Sequence, residues 1–134
     1  MPENAQLDIF QFALLVSDYD EALNYYTTIL GFDLLEDTDL GSGKRWVRVA
    51  PAGSSCSLLL AKAKNEGQAR YIGNQSGGRV FLFMRTDDFH SVYQKYRERK
   101  VRFVEEPRDE EYGRVVVFED LYGNLWGLIG NKGT

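Results

Sequence analysis

Few side chains in this sequence could carry out covalent or metal chemistry. There is one histidine, His90, and one cysteine, Cys56. A single imidazole excludes a histidine-rich metal site. A single thiol excludes an internal disulfide and a zinc site built on several thiolates, and it fits a reducing cytoplasm. His90 follows Asp87 and Asp88 near the start of a helical stretch, on the polar face of that helix. Cys56 has no basic neighbour in sequence to activate it and reads as a half-buried strand thiol. The acidic run EEPRDEEYGR (105–114) resembles a carboxylate cluster but reads as a charged loop entering a strand, with Tyr112 and Arg114 at a rim. GNQSGG (73–78) is glycine-rich, yet no helix start follows it, as a phosphate cradle would need. The remaining candidates suit holding a molecule more than cleaving one: Gln11, Arg79, Phe81, Phe83, Arg85 and Gly127. Aromatic rings stack, and an amide and guanidinium groups hydrogen-bond. Gln11 has two open readings, a ligand contact or a strand amide satisfied by a neighbour. Gly127 lies inside a strand-like run, where a glycine marks a close approach by another group.

The elements that must position these groups follow from hydrophobic period and punctuation. Residues 8–16 (DIFQFALLV) alternate as a strand. Asp18, with Glu21 three residues later, opens a helix in which Ala22, Tyr26, Ile29 and Leu30 share a face; Gly31 closes it. FDLLED, GSGKRWVRVAP and SCSLLLAKA read as three further strands. On the middle one, either Arg45 or Trp46 faces inward, and parity leaves open which; Trp46 is favoured as core. After a polar connection over 63–78, the pattern restarts: strand RVFLFMRT, helix DDFHSVYQKYRERK, short strand VRFVEEP, strand YGRVVVFED, the Gly123–Asn124 turn, and strand LWGLIG.

The halves superimpose with an offset of about 70 residues, which brings Asp18 onto Asp88, Tyr26 onto Tyr96, Gly53 onto Gly123 and Leu58 onto Leu128. The first helix is one residue longer, so Phe32 matches Val101. The expected fold is α+β: two tandem βαβββ modules, about 8–62 and 79–130, joined by 63–78 within a single domain. Together they would form a curved eight-stranded sheet around a cup, with the helices outside. Phe12, Leu14, Val16, Val80, Leu82 and Met84 are expected to face the helices. Gln11, Ala13, Leu15, Arg79, Phe81, Phe83 and Arg85 are expected to face the cup, with Leu125, Gly127 and Ile129 of the last strand. A filled core would not readily hold two guanidinium groups, so this face reads as a pocket.

Composition sets the outer bounds. Hydrophobic residues at 43% and charged residues at 27% describe a globular chain. The net charge of −4 gives no electrostatic support to a nucleic-acid or anionic-membrane partner. No apolar run approaches the roughly 18 residues of a spanning helix, and MPENAQLDIF lacks the pattern of a secretory signal.

Three stretches, LLVSDYDEALNYYTTILGF, its echo MRTDDFHSVYQKYRERKVRF, and VVVFEDLYGNLWGL, resemble the vicinal-oxygen-chelate superfamily of glyoxalases, bleomycin-resistance proteins and extradiol dioxygenases. The resemblance covers roughly residues 8 to 130, with Leu121 where the family's turn usually has proline. It implies four strand positions that in metal-dependent members hold one divalent ion. These fall on Gln11, on Phe81, within residues 56–60, and on Gly127, so one position of four keeps a ligand-type side chain. The expectation is a metal-independent, cytoplasmic protein without a cofactor that binds a small organic molecule, partly aromatic or anionic. The alternatives are a glyoxalase- or dioxygenase-type enzyme with an altered metal site, and a non-catalytic dimeric interaction module. Superfamily resemblance also implies a homodimer.

Overall fold

The computed structural model describes residues 5–131; residues 1–4, part of the secretory-signal reading, and the last three residues lie outside them. The expected α+β arrangement is present as two sheets. In the first half, β1 (Gln11–Val16), β2 (Asp33–Gly41), β3 (Lys44–Ala50) and β4 (Ser57–Lys62) form a sheet in the order β1-β4-β3-β2. In the second, β5 (Val80–Thr86), β6 (Arg102–Phe103), β8 (Gly113–Glu119) and β9 (Leu125–Gly130) run in the order β5-β9-β8-β6. A short extra strand, β7 (Arg108–Glu110), pairs with β8 within the acidic loop. In each half the first strand lies parallel to the last, and the connecting helix covers one face.

Each helix start is capped as its sequence indicates. α1 (Tyr19–Asn24) begins at Asp18, whose Oδ2 accepts the Glu21 backbone N–H at 2.8 Å. α3 (Phe89–Glu98) begins at Asp88, which caps Ser91 N–H. The reciprocal half of the expected capping box is absent: the Glu21 carboxylate instead accepts from Ser17 and Tyr122 hydroxyls. The extra residue of the first helix has a visible outcome. Beyond Asn24 the helix widens into a π turn over Tyr25–Ile29, with Leu30 N–H bonded to the Tyr25 carbonyl. An inserted residue in a helix is absorbed by such a bulge without losing the rest of the helix. α3, without the insertion, runs as regular α-helix.

The bulge turns Tyr26 onto the second half. Its ring lies 5.9 Å from that of Phe32 and 6.1 Å from that of Trp126, and it is fully buried. Its hydroxyl donates to Asp120 Oδ2 at 2.5 Å. Asp120, itself 1% exposed, precedes the β8–β9 turn. Its carboxylate also accepts from Asn124 Nδ2, Trp126 Nε1 and the backbone N–H groups of Tyr122, Gly123 and Asn124. A buried carboxylate is tolerated only when its acceptor sites are met, and here six donors meet them. On the other side, Tyr96 of α3 donates to the Leu30 carbonyl at 2.7 Å. The core thus contains residues of both halves: Leu14, Val16, Tyr26, Val47, Val49 and Leu60 with Leu82, Phe89, Val116, Phe118, Trp126 and Leu128.

The connection 63–78 is more ordered than its composition indicates. Asn65 caps a single helical turn, α2 (Glu66–Ala69). Gly73 lies so close to the Tyr122 backbone that a Cβ there would stand 2.0 Å from the carbonyl oxygen. Gln75 lies along the edge of β1, its Oε1 accepting Leu15 N–H at 2.6 Å and its Nε2 donating to the Ala13 carbonyl at 3.3 Å. One side-chain amide thereby supplies the two bonds a neighbouring strand would supply.

Candidate functional site

Alternation along the strands fixes what faces away from the helices. In the first sheet Leu14, Val16, Val47, Val49, Leu58 and Leu60 are buried in the core. Their neighbours Gln11, Ala13 and Leu15 on β1, Trp46 and Arg48 on β3, and Ser57, Leu59 and Ala61 on β4 occupy the opposite face. Trp46, favoured as core on sequence grounds, is therefore on the cup face. Arg45 takes the helix side, where Asp20 and Asp37 hold its guanidinium at 2.9 and 2.8 Å above the Tyr19 ring. The hydrogen bond from Arg45 holds the Asp37 carboxyl below its ordinary pKa.

Gln11 is not alone on this face. Arg48 Nε donates to Gln11 Oε1 at 2.8 Å, Arg48 Nη2 donates to Ser57 Oγ at 3.2 Å, and Glu36 stands 3.5 Å from Nη1. Of the two open readings for Gln11, the structure shows a neighbour satisfying its amide oxygen. Arg48 and Ser57 were not singled out in the sequence; the pairing register, with Gln11 opposite Ser57, is what assembles them.

The second sheet departs from simple parity at one point. A bulge between Val80 and Leu82 shifts the β5–β9 register. As a result Val80, expected on the helix side, has its Cγ1 3.5 Å from where a Gly127 Cβ would stand. Phe81, expected in the cup, packs partly buried against the core. Phe83 stays on the cup face, 66% exposed, opposite Gly127. The Gly127 position is tight: a Cβ would lie 2.9 Å from Phe83 Cδ1. The glycine makes room for this ring and for no empty space. Trp126 and Leu128 enter the core as expected. Arg85 is exposed beside Phe83 and Met84, in a recess of about 460 Å³ against the turn 51–55. Arg79 is exposed at the start of the strand, and its carbonyl accepts from Ser76. His90 is exposed on α3.

The register also revises the internal alignment. Leu14 pairs with Leu60, and its repeat Met84 pairs with Leu128, so the counterpart of Leu128 is Leu60 rather than Leu58. The counterpart of Gly127 is Leu59. The four positions implied for a divalent ion are then Gln11, Phe81, Leu59 and Gly127. Three carry no donor, and the guanidinium of Arg48 already occupies the fourth. A cation would meet a fixed positive charge there, so this constellation does not fit a divalent ion. No group of three or more His, Cys, Asp or Glu side chains is arranged to hold a metal among the described residues.

A cavity lies in the first half rather than beside Phe83. It has a volume of about 860 Å³. Leu15, Trp46, Leu59 and Ala61 of the cup face line it, together with Tyr19, Arg45 and Leu60, the β2–β3 hairpin at Leu40–Lys44, and Lys62, Ala63, Lys64 and Gln68. None of the six residues named as site candidates lines it. The sequence signal that would have found it is the alternation around Val47 and Val49, which sends Trp46 outward.

Comparison with known proteins agrees with this architecture. Residues 8–128 match the family described as Glyoxalase/Bleomycin resistance protein/Dioxygenase superfamily. An uncharacterized protein of Shewanella frigidimarina (strain NCIMB 400) is 53% identical over 123 residues, covering 90% of this chain and 91% of its own. TnmS3, an antibiotic binding protein from Streptomyces sp. CB03234, superimposes with a TM-score of 0.79 at 32% identity, covering 96% of this chain and 98% of its own. A probable lactoylglutathione lyase of Synechocystis sp. (strain ATCC 27184 / PCC 6803 / Kazusa) is 29% identical over 104 residues, covering 76% of this chain and 77% of its own. With its repeated βαβββ units, its Asp120 turn and a family match over nearly its whole length, this chain belongs to the glyoxalase/bleomycin resistance protein/dioxygenase superfamily.

Proposed function

We propose that the protein binds a small organic molecule on the concave face of its sheets, without a metal ion. The observation that carries this reading is the cavity of about 860 Å³ floored by Leu15, Leu59, Ala61 and Trp46. Its size lies in the range of small-ligand sites, and an apolar floor with a few polar groups is their usual lining. Trp46 offers an aromatic face for stacking. Arg48, held by Gln11, Glu36 and Ser57, offers fixed donors further along the same face. The likeness to TnmS3, described as antibiotic-binding, supports the same class of activity. The donor-poor ligand positions argue against the metal-assisted lyase reading, in which an ion must polarise the substrate oxygens. Arg79, Phe83, Arg85 and Gly127 remain proposed contacts at the second half of the cup, with Gln11 at the first; Phe81 contributes from its partly buried position.

The test is a thermal-shift and tryptophan-fluorescence screen with small aromatic organics. A saturable ligand should raise the melting temperature and change Trp46 emission. Trp46→Phe should abolish the optical signal, since Trp126 is 3% exposed and out of reach. If no compound class shifts either readout, the proposal fails. Elemental analysis of protein purified without added metal decides the alternative, because a stoichiometric divalent ion would revive the enzyme reading.

We also propose a homodimer. Leu34, Leu35 and Leu40 on β2, Phe83 on β5, and Leu7, Ile9 and Phe10 ahead of β1 are large apolar side chains each at least 48% exposed. Exposed apolar groups of this kind, on strands and on the residues ahead of β1, are material for an interface. Light scattering during size-exclusion should give twice the monomer mass, and a monomer at micromolar concentration would sink it.

A further inference from the structure

The charge around the main cavity points to a narrower class of ligand, resting on the binding reading above. The chain as a whole is acidic, with 20 Asp and Glu against 16 Lys and Arg. The cavity reverses that balance. Lys44, Arg45, Lys62 and Lys64 line it, and no aspartate or glutamate does. Arg45 is neutralised by Asp20 and Asp37. The three lysines have no ion-pair partner among the described residues. Lys44 comes from the start of β3, and Lys62 and Lys64 from the end of β4 and just beyond, on the strand paired with β3.

Gathering like charges around one concavity has an electrostatic cost, because each repels the others and low-dielectric walls focus their field. An anion between them removes that repulsion. The apolar floor, by contrast, gains nothing from charge and would take a hydrocarbon or aromatic body. We infer that the cavity takes an amphipathic organic anion, with a flat apolar body against Trp46, Leu15, Leu59 and Ala61 and a carboxylate, sulfonate or phosphate directed at the lysines. Lysine ammonium groups act as mobile point charges, so the site selects for negative charge without demanding one head-group geometry. The sign of the charge is the part of the specificity that the cavity lining determines.

The experiment uses a matched pair of probes on the full chain, anilinonaphthalene sulfonate and its uncharged parent phenylnaphthylamine. Both brighten on entering an apolar site, and loss of that brightening in Trp46→Ala assigns it to this cavity. The sulfonate should bind at least about fivefold more tightly, the worth of roughly one exposed charge interaction. The triple variant Lys44→Gln, Lys62→Gln, Lys64→Gln should bring the two probes within about twofold of each other, as should about 0.5 M salt. The thermal melt of the variant confirms that it folds. Equal affinity for the two probes, or a preference that survives in the triple variant, overturns the anion assignment and leaves the binding function standing. If neither probe brightens and the wider screen also finds nothing, both readings fall together.

Discussion

Replacing Tyr26 with phenylalanine tests the joint between the two halves. The substitution removes one hydroxyl and nothing else, because the ring remains against Phe32 and Trp126. The lost bond runs 2.5 Å to the Asp120 carboxylate, and both partners are at most 1% exposed. Hydrogen bonds to a charged group contribute about 1.5–3 kcal/mol, and Asp120 keeps five other donors, so no orphaned charge adds to the loss. Tyr26→Phe should therefore cost about 2 kcal/mol. Asp120→Asn has nearly the same shape but a different logic. Its amide oxygen satisfies one side of the site, while its NH2 group confronts donors on the other. Each stranded buried donor costs about 1–3 kcal/mol, which places this variant at about 4 kcal/mol or more. For a domain of ordinary stability, roughly 5–15 kcal/mol, that is a large share. Urea unfolding followed by Trp126 fluorescence gives each value, and the double variant gives the coupling. A Tyr26→Phe cost under about 0.5 kcal/mol, or strict additivity with Asp120→Asn, would refute the claim that this contact ties the halves together.

Three other outcomes follow from the same coordinates. Gly73→Ala should destabilise by about 2 kcal/mol or more, because the residue sits at φ +80° with a carbonyl oxygen in the way; an unchanged melting temperature would contradict the packing. Gly127→Ala clashes only with the edge of an exposed ring, Val80 lying at ordinary contact distance, so it should cost under about 1 kcal/mol while displacing Phe83, seen as a shifted aromatic resonance; a loss as large as that at Gly73 would show the ring to be fixed. Burial raises the Tyr96 pKa to about 12, and Tyr25 and Tyr26 are raised as well. The unfolded chain therefore ionises first: this stability is intact below about pH 10 and is lost as pH rises through the folded value. Melting temperature should fall across that window and fall less steeply in Tyr96→Phe. A flat profile from about pH 10 to 12 would count against it.

Local signals in the sequence carried the architecture further than the site. Asp18 and Asp88 start their helices where a short side-chain acceptor precedes an apolar period, and that logic is complete within a few residues. The one-residue surplus before Phe32 was also visible, though its outcome as a π turn depended on Tyr26 finding Trp126 and Asp120 about a hundred positions away. Parity failed where a single extra residue entered the ladder. The bulge after Val80 moved Val80 outward and Phe81 towards the core, and no local pattern marks it. A large aromatic usually joins the core, but Val47 and Val49 take the inner face and send Trp46 outward. The cavity depends on the β2–β3 hairpin and the segment after β4 meeting across the sheet, which no single stretch encodes.

The segment between the halves has a practical consequence for anyone who cuts or lengthens this chain. Asn65, Gly73 and Gln75 fasten it at three places, to its own helical turn, to the Tyr122 carbonyl and to the margin of β1. Composition would advertise it as the obvious place for new termini or a fused domain. An insertion there would pull Gln75 from Ala13 and Leu15 and leave an open strand margin on which another polypeptide could grow. The tip at Ser42–Gly43, exposed and open around its glycine, would accept an insertion without disturbing the fold, but it borders the cavity and would alter binding.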